Sequence, residues 1–315
     1  MLNFLLQAAP KPYFYGGQAV LEGVMMRGAR SMAVAVRRQN GEIVVHEETL
    51  SGPYAGTVRN IPLVRGVLTL AETLTLGVRA LLFSTNVALE DEGEEELGSG
   101  AVAGMLTFSL AFIAGIFFIA PLVAVGLLDR VWDGGGHTTN VIIEGVLRLG
   151  LFFAYVWAIG LMPDIRRTFA YHGAEHRAIH CWEAGDSLTV RNVLRFPNEH
   201  PRCGTGFLLV VMVVAIGVFA FVGDLPWWGL VLSRILLIPV IAAIAYEIVR
   251  FSAAFWHHRL VRAVFTPSLR LQAFTTRDPD ADQVEVAIAA LSAVLAADGV
   301  AASRSTETHF SPAVT

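Results

Sequence analysis

The sequence predicts a polytopic α-helical membrane protein with about four transmembrane helices, a small N-terminal cytosolic β-region and a cytosolic loop rich in histidine. Three observations predict this class. The 315 residues are 54% hydrophobic and only 16% charged, with a mean hydropathy of +0.56, which is too apolar for an ordinary soluble protein. Four long apolar stretches account for the excess. A cluster of histidine, glutamate and cysteine lies between the second and third stretches.

The first two predicted spans form a hairpin at residues 101–162. Residues 101–128 contain no charged side chain and exceed the roughly 20 residues that an α-helix needs to cross a bilayer core. Residues 141–162 carry Glu144 and Arg148, which lie four positions apart. The two can pair on one helix face, so the second stretch is also expected to cross.

The second predicted hairpin occupies residues 204–250. Residues 204–223 are uncharged, and residues 227–250 carry Pro239 near their middle. A proline inside a helix removes a backbone hydrogen bond and bends the helix. We therefore expect a straight third span and a kinked fourth span.

The connection at residues 163–203 sets the orientation, because it contains six arginines whereas the other two short connections contain one in total. The positive-inside rule places this loop and both termini in the cytosol. The sequence thus predicts a multi-pass protein of the bacterial cytoplasmic (inner) membrane, with the lipid bilayer as its first partner. Cys181 and Cys203, the only cysteines, are expected to stay reduced there.

The region before the spans divides into three parts. Residues 1–62 are predicted to hold the β-region, since two alternating segments flank Asn40–Gly41, a pair that accepts a type I′ hairpin turn. Residues 63–89 are predicted to form an amphipathic or membrane-associated helix, with a fifth span as the alternative, because a polar stripe recurs every seven residues: Arg65, Glu72, Arg79 and Asn86. The charged stripe residues brace one another or bind an anionic group. Residues 90–100 are predicted to be a solvated acidic linker.

The chain after the spans is predicted to be a cytosolic region at residues 251–298. Its first part is basic and suits a membrane surface. A turn then leads into an N-capped helix over residues 284–297. Residues 299–315 are predicted to be a disordered tail.

The histidine-rich segment carries the strongest chemical signal. If it is helical, one face presents five metal-competent groups: His172, Glu175, His176, His180 and Glu183. His200 and Cys203 follow at the end of the loop. Imidazole, carboxylate and thiolate are the ligands of zinc and similar ions. The sequence therefore predicts a divalent metal site, with zinc as the expected ion.

Four motifs occur in order along the chain: GGQAVLEGVMMRG at 16–28, YHGAEH at 171–176, HPRCGT at 200–205 and TTRDP at 275–279. Together they resemble the bacterial YqhQ-like proteins, a domain of unknown function often labelled as predicted metal-dependent enzymes. The resemblance covers residues 13–298. It implies a multi-pass membrane protein with a metal, implies no substrate or reaction, and singles out five positions: His172, Glu175, His176, His200 and Cys203.

The motif His172-x-x-Glu175-His176 is similar to an inverted zincin motif, in which two histidines hold a metal and the carboxylate acts as base on water. The third ligand would be His200, Cys203 or Glu183. Three protein ligands leave a position open for catalysis, whereas closure by both His200 and Cys203 makes the metal structural. Both arrangements remain open at this stage, as does a metal-free alternative in which the histidines contact lipid phosphates.

Three functional classes follow. The first is a metal-dependent hydrolase acting at the cytosolic face on a peptide bond or a lipid-linked substrate, with Glu175 as base and Glu247 as a second catalytic candidate or an ion-pair partner of a nearby arginine. The second is a scaffold with a structural metal that recruits a cytosolic protein. The third is a transporter or lipid-handling protein. Nucleic acid is not an expected partner, because the basic residues are dispersed.

Overall fold

The structure is a computed structural model and describes six segments of the chain: residues 15–50, 61–131, 136–200, 203–223, 225–255 and 257–300. The predicted disordered tail beyond residue 300 lies outside the described residues.

Four antiparallel strands form one sheet in the order β1-β2-β3-β4: β1 (Gly16–Val20), β2 (Gly23–Arg27), β3 (Ser31–Arg37) and β4 (Ile43–Thr49). The predicted hairpin is confirmed, since Met32 pairs with Glu48 and Arg37 pairs with Ile43. The predicted type I′ turn is wrong. That turn needs positive φ at two central residues, whereas within this connection only Gly41 has one, at 89°.

The described residues after the sheet form eleven α-helices and one short π-helix. Their bounds are α1 (Val64–Glu92), α2 (Ser99–Ala114), the π-helix (Gly115–Ile119), α3 (Ala120–Val131), α4 (His137–Ile159), α5 (Pro163–Glu183), α6 (Val190–Val193), α7 (Gly204–Ala220), α8 (Trp227–Leu236), α9 (Ile238–Ala254), α10 (Arg259–Thr275) and α11 (Ala281–Ala297).

Both faces of the sheet are buried. Alternate residues of a strand point to opposite faces, so the apolar strands β2 and β3 supply two cores. One face packs on α5 and α11 through Val24, Met26, Ala33 and Ala35. The other packs on α1 through Met25, Met32, Val34 and Val36. Burial on both sides explains why β3 is an almost unbroken apolar run.

Helix α11 confirms the predicted N-capped helix. Asp280 caps its first turn in a reciprocal capping box with Gln283. At the other end, the carboxylate of Asp298 accepts hydrogen bonds from the backbone N–H groups of Ala29 (2.6 Å) and Arg30 (2.9 Å), between β2 and β3. The helix is thus joined to the sheet by its core face and by its C-terminal end.

Helix α1 connects the sheet to the apolar helices. Its N-terminal part packs on α9, where a Cβ on Gly66 would lie 2.9 Å from the side chain of Tyr246. Its C-terminal part packs under the sheet through Leu76, Ala80 and Val87. The helix is also long and apolar enough to cross a membrane by length and composition.

The prediction that the charged stripe residues of α1 brace one another is wrong, because each reaches a different element. Arg65 pairs with Glu247 of α9, Glu72 with Arg27 of β2, and Arg79 with Glu48 of β4. The predicted linker also begins too early. Glu90 and Asp91 belong to α1 and both pair with Arg38 next to β3.

Three helical runs in the described segments are long and apolar enough to cross a membrane: α1, the continuous run Ser99–Val131, and α4. The pair α8–α9, bent by 44°, makes a fourth if it is one span, and α7 is a shorter apolar helix. The bend falls at the predicted kink, beside Pro239. The described chain is therefore mostly helical, with three or four candidate apolar spans.

A buried group of three charges joins these helices. Glu144 pairs with Arg148 one turn away on α4, as predicted, and also receives two hydrogen bonds from Arg234 of α8, at 3.1 and 2.6 Å. Arg148 donates in addition to the carbonyl oxygen of Phe117 in the π-helix, at 2.7 Å. All three charged residues are at most 4% exposed, so the group connects α4, α8 and the π-helix from within.

Candidate metal centre

Helix α5 presents the first two candidate ligands. It begins with Pro163 at its first turn, a position where proline costs no hydrogen bond. His172 and His176 lie one turn apart on it, and their ring centroids are 4.4 Å apart. The predicted helical periodicity of this segment is therefore what brings the two rings together.

Cys203 completes a group of three. It is the N-cap residue of α7, and its Sγ lies 3.3 Å from Nε2 of His172. One ligand atom from each of His172, His176 and Cys203 lies within 4.8 Å of the others. The three residues come from two helices separated by about 20 residues of loop and by the short α6.

Main-chain oxygens orient both imidazoles. Nδ1 of His172 lies 2.9 Å from the carbonyl oxygen of Thr275, and Nδ1 of His176 is hydrogen-bonded to the carbonyl oxygen of Asn198. Because a carbonyl can only accept, each Nδ1 carries the proton and each Nε2 keeps its lone pair. Such partners are typical of metal-binding histidines.

This donor set fits a zinc ion. With Zn–N near 2.0–2.1 Å and Zn–S near 2.3 Å, two tetrahedral ligand atoms are about 3.6 Å apart, and Nε2 of His172 is 3.3 Å from the Cys203 sulfur. Two imidazole nitrogens and one thiolate leave a fourth position for water or substrate. The residues present thus suit a catalytic geometry as well as a structural one.

Glu175 lies next to this group. It is 3% exposed, and its Oε2 is 3.6 Å from Nε2 of His176. No residue that the structure describes donates a short hydrogen bond to this carboxylate. Strand β1 passes closely over it, since a Cβ on Gly17 would lie 3.2 Å from Cγ of Glu175 and 2.2 Å from the carbonyl oxygen of Met25.

The charge state of His176 follows from these neighbours. Burial lowers its pKa, but the carboxylate of Glu175 and the side chain of Cys203 raise it by more, so the net pKa lies above the ordinary value. The same negative groups that favour a protonated imidazole would favour a cation in its place.

A cavity of about 300 Å³ opens beside the three ligands. Glu175, His200 and all three ligand residues line it. Most of the rest of its lining comes from the sheet and from α1 and includes Gln18, Arg27, Thr69, Glu72 and Thr73. Residues of the N-terminal sheet, α1 and α5 therefore share one cavity.

His200, His180 and Glu183 form a neighbouring group instead of completing the first one. Nε2 of His200 is 3.6 Å from Oε2 of Glu183, and the rings of His180 and His200 are 4.6 Å apart. Nε2 of His180 is directed to the carbonyl oxygen of Glu199, at 2.8 Å. Burial, then the charges of His180 and His176, lower the pKa of His200 to about 3, so its ring is neutral at physiological pH.

Glu247, predicted as a second catalytic candidate or an ion-pair partner, is not among the residues that line the cavity. Its carboxylate receives hydrogen bonds from Arg65 and from the backbone N–H of Leu63 (3.1 Å). The structure therefore agrees with the ion-pair alternative, and Arg65 of α1 is the partner.

The sequence did not predict the residues that orient the histidines of the site. Gln272 of α10 binds the main chain of His200, and the carbonyl groups of Asn198 and Thr275 orient the two histidines. Carbonyl partners leave no mark on a sequence, because every residue has a carbonyl. The motif at 275–279 was a signal for one of them.

The fold and the site define a mostly helical protein with three or four apolar helices, a four-stranded antiparallel sheet and a His/His/Cys grouping. The chain belongs to the DUF1385 family, since residues 61–297 match the family model described as "Protein of unknown function (DUF1385)". It is also 32% identical over 313 residues to the "Uncharacterized protein YqhQ" of Bacillus subtilis (strain 168), covering 95% of this chain and 97% of that protein. No solved structure matches. The resemblance inferred from the four motifs is thereby confirmed.

Proposed function

We propose that this protein is a zinc-dependent hydrolase of the bacterial cytoplasmic membrane, with its centre at the cytosolic face. His172, His176 and Cys203 hold the ion, and Glu175 is the general base. The observation that supports this most directly is the orientation of the two histidines, whose Nδ1 atoms are both bound to carbonyl oxygens. Their Nε2 lone pairs are thus left for a cation.

Zinc in such a site acidifies water and polarises a carbonyl group. The protein's own groups supply the rest of the chemistry. Glu175, which is buried and close to His176, accepts the proton of the attacking water and returns it to the leaving group. The burial of Glu175 and His176, at 3% and 2% exposure, strengthens the charge interaction between them.

The membrane location is supported by the apolar helices and by the large side chains that they leave uncovered. Phe108, Phe221 and Trp227 are 72%, 93% and 75% exposed, respectively, and a bilayer would cover them. Cys203 caps the apolar helix α7, so the centre lies where an apolar segment begins. A peptide bond near the membrane surface or a lipid-linked molecule is the substrate class that this position favours.

The first experiment is elemental analysis of the detergent-purified full chain and of its variants. We expect stoichiometric zinc in the wild type and its loss in His172→Ala, His176→Ala and Cys203→Ser. His180→Ala is the matched control, since it removes an imidazole one turn further along α5 and should keep the metal. Absence of metal from the wild type after zinc supplementation would refute the proposal.

A structural metal is the second candidate, because the ligands come from α5 and α7 and the ion would join them. Cobalt substitution separates the two roles. An open fourth position binds azide and changes the visible spectrum of the cobalt protein, whereas a closed site does not respond. Glu175→Gln should retain the metal under both candidates but abolish hydrolysis only under the first.

A further inference from the structure

Helix α10 has two halves with different surroundings. Pro267 interrupts it and removes one internal hydrogen bond. In the second half, Leu271, Gln272 and Thr275 are buried, with Leu271 and Gln272 at 2% and 1% exposure. Residues 259–266 lie open, with Leu260 and Val264 at 76% and 64% exposure.

The charge around α10 has one sign. Residues 248–277 contain five arginines and two histidines but no aspartate or glutamate. Arg259, Arg262 and Arg270 of α10 are exposed, and none of them forms a salt bridge with an acidic residue in the described part of the chain. By contrast, Arg27, Arg37, Arg38, Arg65, Arg79, Arg148, Arg167, Arg177 and Arg234 all pair with carboxylates.

The apolar stripe of α10 continues the apolar surface of the helices that precede it. At 100° per residue, Leu260, Val264 and Leu271 lie within about 40° of one another. Leu271 is buried in a cluster with Phe117, Phe152 and Val156 of the apolar helices. The same stripe is therefore covered by protein at one end and uncovered at the other. Arg259 and Arg270 lie to one side of it, where long side chains can reach lipid phosphates while the stripe enters the acyl region.

The covered end of α10 also holds the metal centre. Gln272 binds the main chain of His200 on both sides, and the carbonyl oxygen of Thr275 accepts the Nδ1–H of His172. A close crossing fixes the same half against α7, since a Cβ on Gly206 would lie 2.3 Å from Oγ of Ser268. A displacement of α10 would thus move the partner of the His172 imidazole and the partner of the His200 main chain.

We propose that the exposed face of α10 that carries Arg259 and Arg270 binds the headgroups of anionic phospholipids, and that this contact holds the C-terminal half of α10 against the metal centre. The proposal rests on the membrane location given above but not on the presence of a metal. The arginines are complementary in charge to the anionic headgroups. The apolar stripe, which continues into the helix bundle, shows which face of α10 would enter the bilayer.

The test uses the full chain in nanodiscs of phosphatidylcholine with increasing phosphatidylglycerol, with lipid retention measured by native mass spectrometry. We expect the wild type to retain phosphatidylglycerol and Arg259→Gln/Arg270→Gln to bind it roughly 25-fold more weakly, at about fivefold per arginine. The matched control is Arg191→Gln/Arg195→Gln, which removes the same charge from exposed positions on and after α6. Equal retention by the α10 variant and the wild type would overturn the proposal.

The second readout is the rate at which maleimide alkylates Cys203 in chelator-treated, metal-free protein. Phosphatidylglycerol should slow this reaction in the wild type, because a docked α10 keeps His172 beside the sulfur, and it should have no effect in Arg259→Gln/Arg270→Gln. If phosphatidylglycerol does not change the alkylation rate of the wild type, the link between the lipid contact and the metal centre is overturned. Neither readout requires zinc, so failure of the hydrolase proposal would be seen separately.

Discussion

The side-chain amide of Gln272 holds the main chain of His200 from both sides. Its Oε1 accepts a hydrogen bond from the backbone N–H of His200 at 2.8 Å, and its Nε2 donates to the carbonyl oxygen of the same residue at 2.9 Å. Both residues are buried, at 1% and 3% exposure. One amide thus fixes the main chain of His200, three positions before the candidate ligand Cys203.

Gln272→Leu is expected to loosen this turn. Leucine has a similar size but removes the side-chain acceptor of the buried His200 N–H, at a cost of about 1–3 kcal/mol. It leaves the carbonyl oxygen of His200 with the N–H of Cys203, at 3.2 Å. Hydrogen exchange by mass spectrometry should show faster exchange around His200, with a lower unfolding temperature. Gln272→Glu retains one acceptor and should lie between the two proteins. Unchanged exchange in Gln272→Leu would contradict the assigned role.

Glu144→Gln is expected to destabilise the helix bundle strongly. The glutamate carries the one negative charge opposite Arg148 and Arg234, and removing one partner from a buried pair costs about 3 kcal/mol. Thermal unfolding in one detergent should show a clear drop in midpoint. The exposed Glu94→Gln is the control. If both variants unfold at the same temperature, the buried group adds little stability.

Gly173→Ala is expected to distort the metal centre without touching a ligand. The added Cβ would lie 2.2 Å from the carbonyl oxygen of Arg277, so α5 and the segment after α10 must separate. Thr275, the partner of His172, lies two residues from this contact. Zinc content should therefore fall. Gly217→Ala, another helical glycine with nothing within 4 Å of an added Cβ, should keep the wild-type content.

The two cysteines are expected to react differently. Cys181 is fully buried, and burial, with a smaller contribution from Asp186, raises its pKa to about 11. At pH 8 only about one part in a thousand would be the reactive thiolate, so its alkylation stays slow although the thiolate fraction rises about tenfold from pH 7 to pH 8. Peptide mapping should find Cys203 labelled in the metal-free native protein, zinc should protect it, and Cys181 should be labelled only after denaturation. Native labelling of Cys181 would contradict its burial.

Local patterns predicted the local structure correctly. The alternation around Asn40–Gly41 identified a real hairpin, and the sequence before residue 284 identified a capped helix that begins at Ala281. The spacing of His172 and His176 placed both rings on one face of α5. Each of these features depends on residues a few positions apart, where side-chain direction follows from backbone periodicity.

Long-range pairing was not predictable in the same way. The regular spacing of Arg65, Glu72 and Arg79 indicated a stripe, but their partners lie on α9, β2 and β4. Spacing along one helix fixes which side chains share a face, not which element covers that face. For the same reason, the sequence did not show that His180 and Glu183 lie apart from Cys203, although all three residue types are suitable metal ligands.

Strand β1 has a consequence for any shortened version of this protein. Gly17 passes over Glu175, and Gln18 lines the cavity that α5 and α7 also line. A fragment that starts at residue 61, where the family match begins, would retain every candidate ligand and the base. It would nevertheless lack one wall of the cavity, and the apolar faces of α5, α11 and α1 would be exposed to water. The sheet before α1 is therefore part of the candidate site, and functional assays belong on a chain that includes it.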